Sequence, residues 1–382
     1  MRISVITAAL VASLVGFGST VAHVLSAAVA LGATPAQTAS WLLAVSLAKA
    51  IGSAWLSFST RIPVVLAWST PGAALIAATS GVTMPQAVAA FALAGVLVVL
   101  TGAIRPLGRL VGMIPDGVAS AMLAGVLLPF CLRGAQTVDS APALILPMIA
   151  VFLAVRLVNP ALAVLAALGL GVALAFGTGA ASLPDLTLPL PALTFILPEF
   201  DLAVLLGLGV PIYLVTMASQ NLPGFAVLRS AGYEPPVRPA LLVTGVLSTL
   251  SAFVGGHMVN MAAITAAICL GDDVHPDRAQ RWKVGLVYAG FWVALGVLAP
   301  LIIILLAALP PQVMVALVGL ALLSPLMGAL TGAFAIPDQR FPATMTLVTT
   351  ASGMAAFGIG AAFWGLVIGL AVWGLQSLAL RR

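Results

Sequence analysis

Apolar residues run along this chain in long stretches, which are separated by short polar or proline-containing breaks. Most stretches are about 20 residues long, which is the length a helix needs to cross a membrane. They do not alternate with polar residues, as the strands of a membrane barrel do. The pattern predicts an all-α polytopic membrane protein with fourteen spans, at residues 3–31, 35–58, 62–79, 85–104, 115–133, 141–157, 160–177, 203–230, 237–254, 256–270, 282–308, 311–331, 342–359 and 361–379.

The third and tenth spans are shorter than the others and have irregular starts. Residues 63–70 have the composition of an extended strand, and Pro71 follows them at the start of a short helix. This pattern predicts Thr70 as the N-cap and Pro71 at the first helical position. In the tenth span, residues 255–260 form an irregular entry with Asn260 as the predicted cap. Each span is therefore predicted to be a strand followed by a half-helix.

Composition and charge support this interpretation. Hydrophobic residues make up 62% of the 382 residues and charged residues only 7%, against about 25% in an average soluble domain. With the N-terminus in the cytoplasm, all basic residues except Lys49 and Arg133 fall at cytoplasmic segments, as the positive-inside rule requires. Omitting either short span would invert every later loop. The sequence thus predicts a multi-pass membrane protein with both termini cytoplasmic.

Fourteen spans divide into two groups of seven, and the irregular span is third in each group. At an offset of 196 residues, Pro115 matches Pro311 and Pro129 matches Pro325. Because seven is odd, the two halves would insert in opposite orientations, which is the inverted repeat of secondary transporters. The predicted organisation is a first repeat at 1–178, an extracytoplasmic connection at 179–202 and a second repeat at 203–382.

The two half-helix starts are the predicted binding site, because free N–H groups and the positive end of a helix dipole favour an anion. The alternative is that these breaks are ordinary kinks where helices pack. A further polar interruption, Gln220-Asn221, lies in the eighth span. Phe17 and Trp68 are the candidates for contacting an apolar part of the substrate. The predicted substrate-binding residues are Phe17, Ser19, Trp68, Ser69, Thr70, Pro71, Gly72, Gln220, Asn221 and Asn260.

Three ionisable residues lie inside predicted spans, and such residues are functional candidates by default. His257 is the first candidate for carrying a proton, and His23 and Lys49 are the others. Their alternative roles are local: a histidine capping carbonyl groups, or a lysine that faces a bound carboxylate or a backbone carbonyl. We expect no metal site in the acidic loop at 271–277. We also expect no cofactor, no nucleic-acid partner and no enzymatic activity, since ATP-binding and protease motifs are missing.

Four segments resemble the benzoate:proton symporter (BenE-type) family of bacteria. This family is related to the uracil permease and sulfate permease transporters. The resemblance implies a seven-plus-seven fold with a core domain at 1–104 plus 203–308 and a gate domain at 115–177 plus 311–379. It also implies that substrate binds between the broken third and tenth spans. The segments that carry the resemblance are 68–76, 220–225, 255–264 and 271–283.

One departure from the related transporters bears on the substrate. Nucleobase transporters of this fold carry acidic residues in the eighth and tenth spans, where this chain has Ser219-Gln220 and Asn260. Neutral side chains fit an anion, because carboxylates would repel it. Together with this departure, the resemblance implies import of benzoate or a similar aromatic carboxylate with protons across the bacterial cytoplasmic (inner) membrane. The alternatives are a permease for another organic anion or a neutral nucleobase, and a passive anion channel or scaffold. The sequence leaves open whether the protein is a homodimer.

Overall fold

The computed structural model describes residues 2–18, 20–104, 114–160, 162–182, 191–262, 264–272, 274–357 and 359–379. Helices account for most of this part of the chain, and two small two-stranded sheets complete it. The elements of the first half are α1 (Ile3–Gly18), α2 (Val21–Ala30), α3 (Pro35–Thr60), β1 (Leu66–Trp68), α4 (Thr70–Ala77), α5 (Met84–Ala103), α6 (Asp116–Ser140), α7 (Pro142–Val158) and α8 (Ala163–Gly177).

The second half begins with a continuous helical segment that contains two π-helical stretches, Leu205–Gly209 and Met217–Asn221. Short 3₁₀ turns at Arg278–Gln280 and Pro337–Gln339 precede two of its later helices. The elements are α9 (Leu202–Val204), α10 (Val210–Thr216), α11 (Leu222–Ser230), α12 (Val237–Ala252), β2 (Val259–Met261), α13 (Ile264–Leu270), α14 (Lys283–Val297), α15 (Ala299–Ala307), α16 (Pro311–Phe334), α17 (Arg340–Ala351), β3 (Ala355–Ala356), β4 (Ile359–Gly360) and α18 (Ala361–Ala379).

Several helices are long and apolar enough to cross a membrane. Among the described residues, 7 helical segments meet this criterion by length and composition, and a bent pair makes an eighth. Three more apolar helices, α7, α8 and α12, are shorter. The chain is thus a mostly helical polytopic membrane protein, and the count of fourteen crossings stays a prediction.

Three predicted spans differ from the structure in shape. The first is divided between α1 and α2, where Gly16 and Gly18 weaken the helix. The eleventh bends by 55° between α14 and α15 because Pro300 cannot donate a backbone hydrogen bond. The thirteenth ends early: α17 stops at Ala351, and a hairpin of β3 and β4 follows. Here Gly353 adopts a φ of 65°, which favours glycine.

The strands predicted in the third and tenth spans are present, and they pair with each other. β1 and β2 are antiparallel, with Ala67 opposite Asn260 at the centre of the register. The pairing extends beyond the strands, since Ser69 N–H donates to the Met258 carbonyl (2.9 Å) and Ala262 N–H to the Val65 carbonyl (3.1 Å). The pair joins the two halves of the chain, and α4 and α13 follow from it.

The outer edges of this strand pair are bonded by side chains from neighbouring helices. Ser57 Oγ on α3 accepts from Val64 N–H (3.1 Å) and donates to the Val64 carbonyl (2.8 Å). In the second half, Ser248 Oγ on α12 forms the same two bonds with Val259 (2.9 and 3.3 Å). Ser53 Oγ accepts from the Leu66 N–H. These hydroxyls satisfy backbone groups that would each cost several kcal/mol if left unpaired in the hydrocarbon.

Glycines allow the closest helix contacts between the halves. α5 packs along α12, α3 along α14, and α6 along α16. Where α6 crosses α16, a Cβ added at Gly319 would lie 2.8 Å from Gly134 Cα. This distance leaves no space for a side chain, so the two backbones are in direct contact.

The connection between the halves lies against the ends of the helices at one side of the molecule. Residues 191–200 have no regular secondary structure, and the Ile196 N–H donates to the Phe253 carbonyl (2.8 Å). The Thr194 N–H donates to Ser40 Oγ (2.8 Å), and the Glu199 N–H donates to the Pro85 carbonyl (3.1 Å). The segment is therefore fixed to α3, α5 and the end of α12.

We predict that Gly319→Leu destabilises the protein by forcing α6 and α16 apart. Overpacking of this kind costs about 1–3 kcal/mol. The midpoint of thermal unfolding in detergent, followed by size-exclusion chromatography, should fall clearly below that of the wild type. Gly374→Leu on α18 is the matched control, because nothing lies within 4 Å of a Cβ added there. Equal losses in the two variants would contradict this account of the crossing.

Candidate functional site

A cavity of about 440 Å³ lies beside the strand pair and is the candidate site. Its inner part is lined by the break between α1 and α2, by α3, β1 and the start of α4, and by the π-helical stretch before α11. Its other wall is formed by α6 and α16, and it extends to exposed residues at Pro160 and Gly328. The described lining contains no carboxylate.

The start of α4 differs from the prediction in its cap. Ser69, not Thr70, is the N-cap: its Oγ accepts the Gly72 N–H (3.1 Å), and α4 begins at Thr70, which moves Pro71 to the second helical position. Ser69 has the extended backbone that a cap needs, because it continues the hydrogen bonding of β1 to Met258. Pro71 has no N–H and Gly72 is already bonded, so this helix start offers few free donors to a ligand.

Thr70 and Pro71 line the cavity, whereas Ser69 and Gly72 are buried behind them. Ser69 Oγ is also bonded to Thr216 Oγ1 (2.8 Å). Thr70 Oγ1 shares a hydrogen bond of 3.0 Å with Thr20 Oγ1 at the break of the first span. Ser19, also predicted to bind substrate, lies outside the described residues.

The predicted amide residues have different environments. Gln220 lines the cavity. Asn221 is fully buried, and its Oδ1 accepts the Met261 N–H (2.9 Å), so it supports β2 instead of facing the cavity. The helix is not interrupted at these residues; it widens into a π-helical turn that contains both.

Asn260 does not cap the second half-helix, contrary to the prediction. It lies within β2, and α13 begins at Ile264. Its Nδ2 donates to the Met261 carbonyl (2.8 Å) and to Gln220 Oε1 (3.4 Å), which links the strand to the cavity wall. Its Oδ1 is buried with no hydrogen-bond partner among the described residues.

Four aromatic side chains form a cluster at the inner end of the cavity. Trp68 lines it, with its ring centroid 5.6 Å from Phe17 and 5.1 Å from Trp292. Phe17 lies behind Trp68 and does not itself line the cavity. Tyr288 does, and its hydroxyl donates to the Leu66 carbonyl (2.8 Å). The indole N–H of Trp68 is buried and has no hydrogen-bond partner in the described part of the chain.

Lys49 projects from α3 into this aromatic cluster. Its Nζ lies 2.9 Å from the ring centroid of Trp292 and 4.7 Å from that of Trp68. The side chain lines the cavity and is only 1% exposed. Lys49 is the only cationic side chain in the described lining.

His257 has both ring nitrogens engaged and does not line the cavity. Trp41 Nε1–H donates to its Nδ1 (2.8 Å), and its Nε2 lies 3.2 Å from the Ser69 carbonyl. Because an indole can only donate, Nδ1 must be unprotonated, and Nε2 carries the proton that is donated to Ser69. A second proton on this ring would break the bond from Trp41. His23 is buried on α2 and also lies away from the lining.

A second, smaller cavity lies at the opposite ends of the spans. It is lined by the end of α4, by Arg133 on α6, by the start of the 202–230 segment and by the β3–β4 hairpin. A Cβ added at Gly207 would lie 3.1 Å from Gly360 N and 3.2 Å from Ile359 Cα. The hairpin is therefore packed directly against the helix backbone at this position.

Sequence reasoning thus located five residues of the described lining and missed others. Trp68, Thr70, Pro71, Gln220 and Lys49 are brought together around one cavity. The missed residues come from helices without a distinguishing motif, such as Tyr288 on α14 and the serines of α6 and α16. The only sequence signal for Tyr288 was its position close to Trp292 inside a predicted span. The remaining lining residues of this kind are Ser120, Thr265 and Ser324.

The fold has solved relatives among anion transporters. The transmembrane domain of the cyanobacterial bicarbonate transporter BicA superposes with a TM-score of 0.60 at 15% identity, covering 98% of this chain and 97% of that one. The overall structure of SLC26A9 gives 0.60 at 13% identity, covering 98% of this chain and 66% of that one. At these identities the likeness shows the fold alone.

Sequence relatives are closer. Inner membrane protein YdcO of Escherichia coli (strain K12) is 39% identical over 363 residues, covering 95% of this chain and 93% of the relative. The benzoate membrane transport protein of Acinetobacter baylyi is 35% identical over 316 residues, covering 82% and 80%. The family model described as benzoate membrane transport protein matches residues 1–375. The resemblance seen in four segments thus extends along almost the whole sequence, and the chain belongs to the benzoate membrane transport protein family, which consists of membrane transporters and not of enzymes.

Proposed function

We propose that the protein is a secondary active transporter that imports benzoate or a similar aromatic carboxylate with protons across the bacterial inner membrane. The observation that carries this proposal is the cavity itself, which combines one buried lysine with aromatic walls. Its volume of about 440 Å³ falls within the range of about 300–1,000 Å³ for small-molecule sites. An aromatic carboxylate has a matching division between an apolar ring and a charged end.

The neutral polar groups of the cavity fit the same substrate. Thr70 and Gln220 can hydrogen-bond a carboxylate, and the unpartnered N–H of Trp68 is a further donor. Because no described lining residue is acidic, nothing repels an anion. In this proposal Phe17 holds Trp68 in place, and Ser69, Gly72, Asn221 and Asn260 shape the site from behind without touching substrate.

A second candidate is an inorganic anion, since one solved relative of this fold is a bicarbonate transporter. The aromatic cluster of Phe17, Trp68, Tyr288 and Trp292 favours the aromatic acid, because bicarbonate offers no surface for these rings. A neutral nucleobase offers no anionic group to pair with Lys49.

We propose fourteen spans in a seven-plus-seven inverted repeat. Helix packing supports it: under such a repeat the second and ninth spans are equivalent, as are the fourth and eleventh. If the two halves are exchanged, α3 takes the place of α12 and α14 takes the place of α5. The contact between α3 and α14 therefore corresponds to the contact between α12 and α5, and both contacts are extensive. In the same exchange β1 and β2 change places. Each strand is hydrogen-bonded at its outer edge by a serine of the preceding helix in its own half.

The proposed movement is of the core domain (1–104 plus 203–308) against the gate domain (115–177 plus 311–379). The main cavity lies between helices of these two groups and extends toward the proposed cytoplasmic ends of α6, α8 and α16. At the other side, Gly207 of the core packs against the hairpin of the gate. This arrangement corresponds to an inward-facing state in which the hairpin contact closes the outer path.

The substrate proposal predicts a strong preference for charge. Hydrogen bonds to a charged group contribute about 1.5–3 kcal/mol, so purified protein should bind benzoate about 10- to 100-fold more tightly than benzamide, which keeps the ring and loses the charge. Scintillation-proximity competition measures both ligands, with bicarbonate as a third. Equal affinity for benzoate and benzamide would contradict anion recognition. In proteoliposomes, benzoate flux without pH-driven accumulation would favour a channel.

The topology proposal predicts labelling from opposite sides of the membrane. Ser80→Cys and Ala279→Cys are both at exposed positions, in a background with Cys131→Ala and Cys269→Ala. In intact cells a membrane-impermeant maleimide should label the cysteine at 80, and the cysteine at 279 should react only after the cells are opened. Reaction of both from one side would mean that the number of crossings between them is wrong.

The proposed outer closure predicts a gain of accessibility when Gly207 is enlarged. Gly207→Leu places a side chain against the hairpin backbone and should open the outer cavity. A reporter cysteine at Leu75, which is buried and lines that cavity, should then react with a maleimide several-fold faster. Gly169→Leu on α8 is the control, since its added Cβ meets nothing within 4 Å. Unchanged reactivity in a folded Gly207→Leu variant would refute this closure.

A further inference from the structure

Lys49 is the most unusual charged residue of the described chain. It lies near the middle of α3, and its ammonium group is buried among aromatic rings. No carboxylate of the described residues forms an ion pair with it: the only ion pair among them joins Arg281 and Asp272, in the loop before α14. The contacts of the ammonium are the faces of Trp292 and Trp68.

Two indole faces are a poor substitute for an anion. A cation–π contact recovers only a fraction of what the burial of an ion costs. A permanent ammonium at this position would therefore leave most of its desolvation uncompensated. Two changes relieve this cost: arrival of an anion in the cavity, or loss of the proton from the amine.

The titratable groups near Lys49 are not ion-pair partners for it. From α14, the Tyr288 hydroxyl donates its proton to the Leu66 carbonyl. His257 has one nitrogen bonded to Trp41 and the other to the Ser69 carbonyl. His23 on α2 does not line the cavity.

The remaining walls are neutral or already bonded. The 202–230 segment contributes the amide of Gln220, and α6 contributes the hydroxyl of Ser120. On α16, Ser324 lines the cavity and accepts a hydrogen bond from Arg156 of α7. Arg156 is thus the one other described cation bonded to a lining residue, and it lies on the gate side.

We propose that Lys49 is the shared site of the substrate carboxylate and of the symported proton. This inference rests on the proposed function and adds to it the residue that couples the two cargoes. The neutral amine of the empty carrier takes one proton from water as the carboxylate enters, and the two form an ammonium–carboxylate pair. On release, the anion leaves and the proton returns to water on the other side.

Two consequences follow from this scheme. One proton moves with each monovalent anion, so the transported load has no net charge and the membrane potential should not drive it. The empty carrier returns with a neutral amine. The proton and the carboxylate then bind cooperatively, since the charge that each brings lowers the cost of burying the charge of the other.

The chain offers a matched pair of lysines for the test, because Lys49 and Lys283 are its only two. Lys49→Arg keeps a permanent charge. In proteoliposomes we expect it to retain benzoate–benzoate exchange and to lose accumulation driven by a pH gradient. Lys49→Gln removes the charge and should weaken benzoate binding about 10- to 100-fold, by loss of a charged hydrogen bond. Lys283→Arg and Lys283→Gln should behave like the wild type.

The outcomes separate this inference from the proposed function. If the wild type accumulates benzoate with protons and either Lys49 variant does so equally well, the inference is wrong while the function stands. Absence of benzoate binding in the wild type overturns both. If the variants do not fold, the wild type decides alone: benzoate binding in weakly buffered detergent solution should take up one proton per ligand. No uptake, or transport driven by membrane potential, overturns the role of Lys49.

Discussion

The structure depends on two short strands that lie where backbone groups have no water to bond with. Any chain that is extended at this depth must find partners for its N–H and C=O groups within the protein. β1 and β2 are partners to each other along their inner edges, and hydroxyls of Ser53, Ser57 and Ser248 bond the outer edges. The cavity follows from this solution, because α4 can start in the middle of the molecule only where the strand before it is fully bonded.

The same bonding makes one rigid unit from two halves of the chain. His257 bonds the Ser69 carbonyl at the junction of β1 and α4, and it is itself held by Trp41 of α3. Asn221 bonds β2 from the 202–230 segment. All of these residues belong to the proposed core domain, and none lines the cavity. Side chains that the sequence suggested for binding substrate or carrying a proton therefore support the shape of the site. In the proposed movement between domains, the site would move as one unit without being distorted.

The sequence predicted the spans from apolar length and the irregular ones from proline and glycine, because such signals are local. It predicted the strand–helix units at β1–α4 and β2–α13, but placed the cap at Thr70, where Ser69 forms it. Both residues can cap, and the choice depends on the pairing of Ser69 with Met258. Asn221 and Asn260 were predicted to bind substrate, and in the structure both amides bond the backbone of Met261. An amide inside a span can face a cavity or a backbone, and only the packed structure distinguishes these. The proline at position 300 was a local sequence signal for the bend. The β3–β4 hairpin had no local signal except its glycines.

The proposed selection for a charged substrate depends on which hydrogen-bond donors the cavity lacks. At α4 the missing N–H of Pro71 and the Ser69–Gly72 bond remove two of the donors that a helix start usually offers an anion. The second half-helix, α13, has only 7 residues, so its dipole is small. The strongest positive group within reach of the cavity is then Lys49, set in an aromatic cluster that stabilises a cation only weakly. The proposed preference for an aromatic acid therefore rests on Lys49 for the charge and on the surrounding rings for the apolar part.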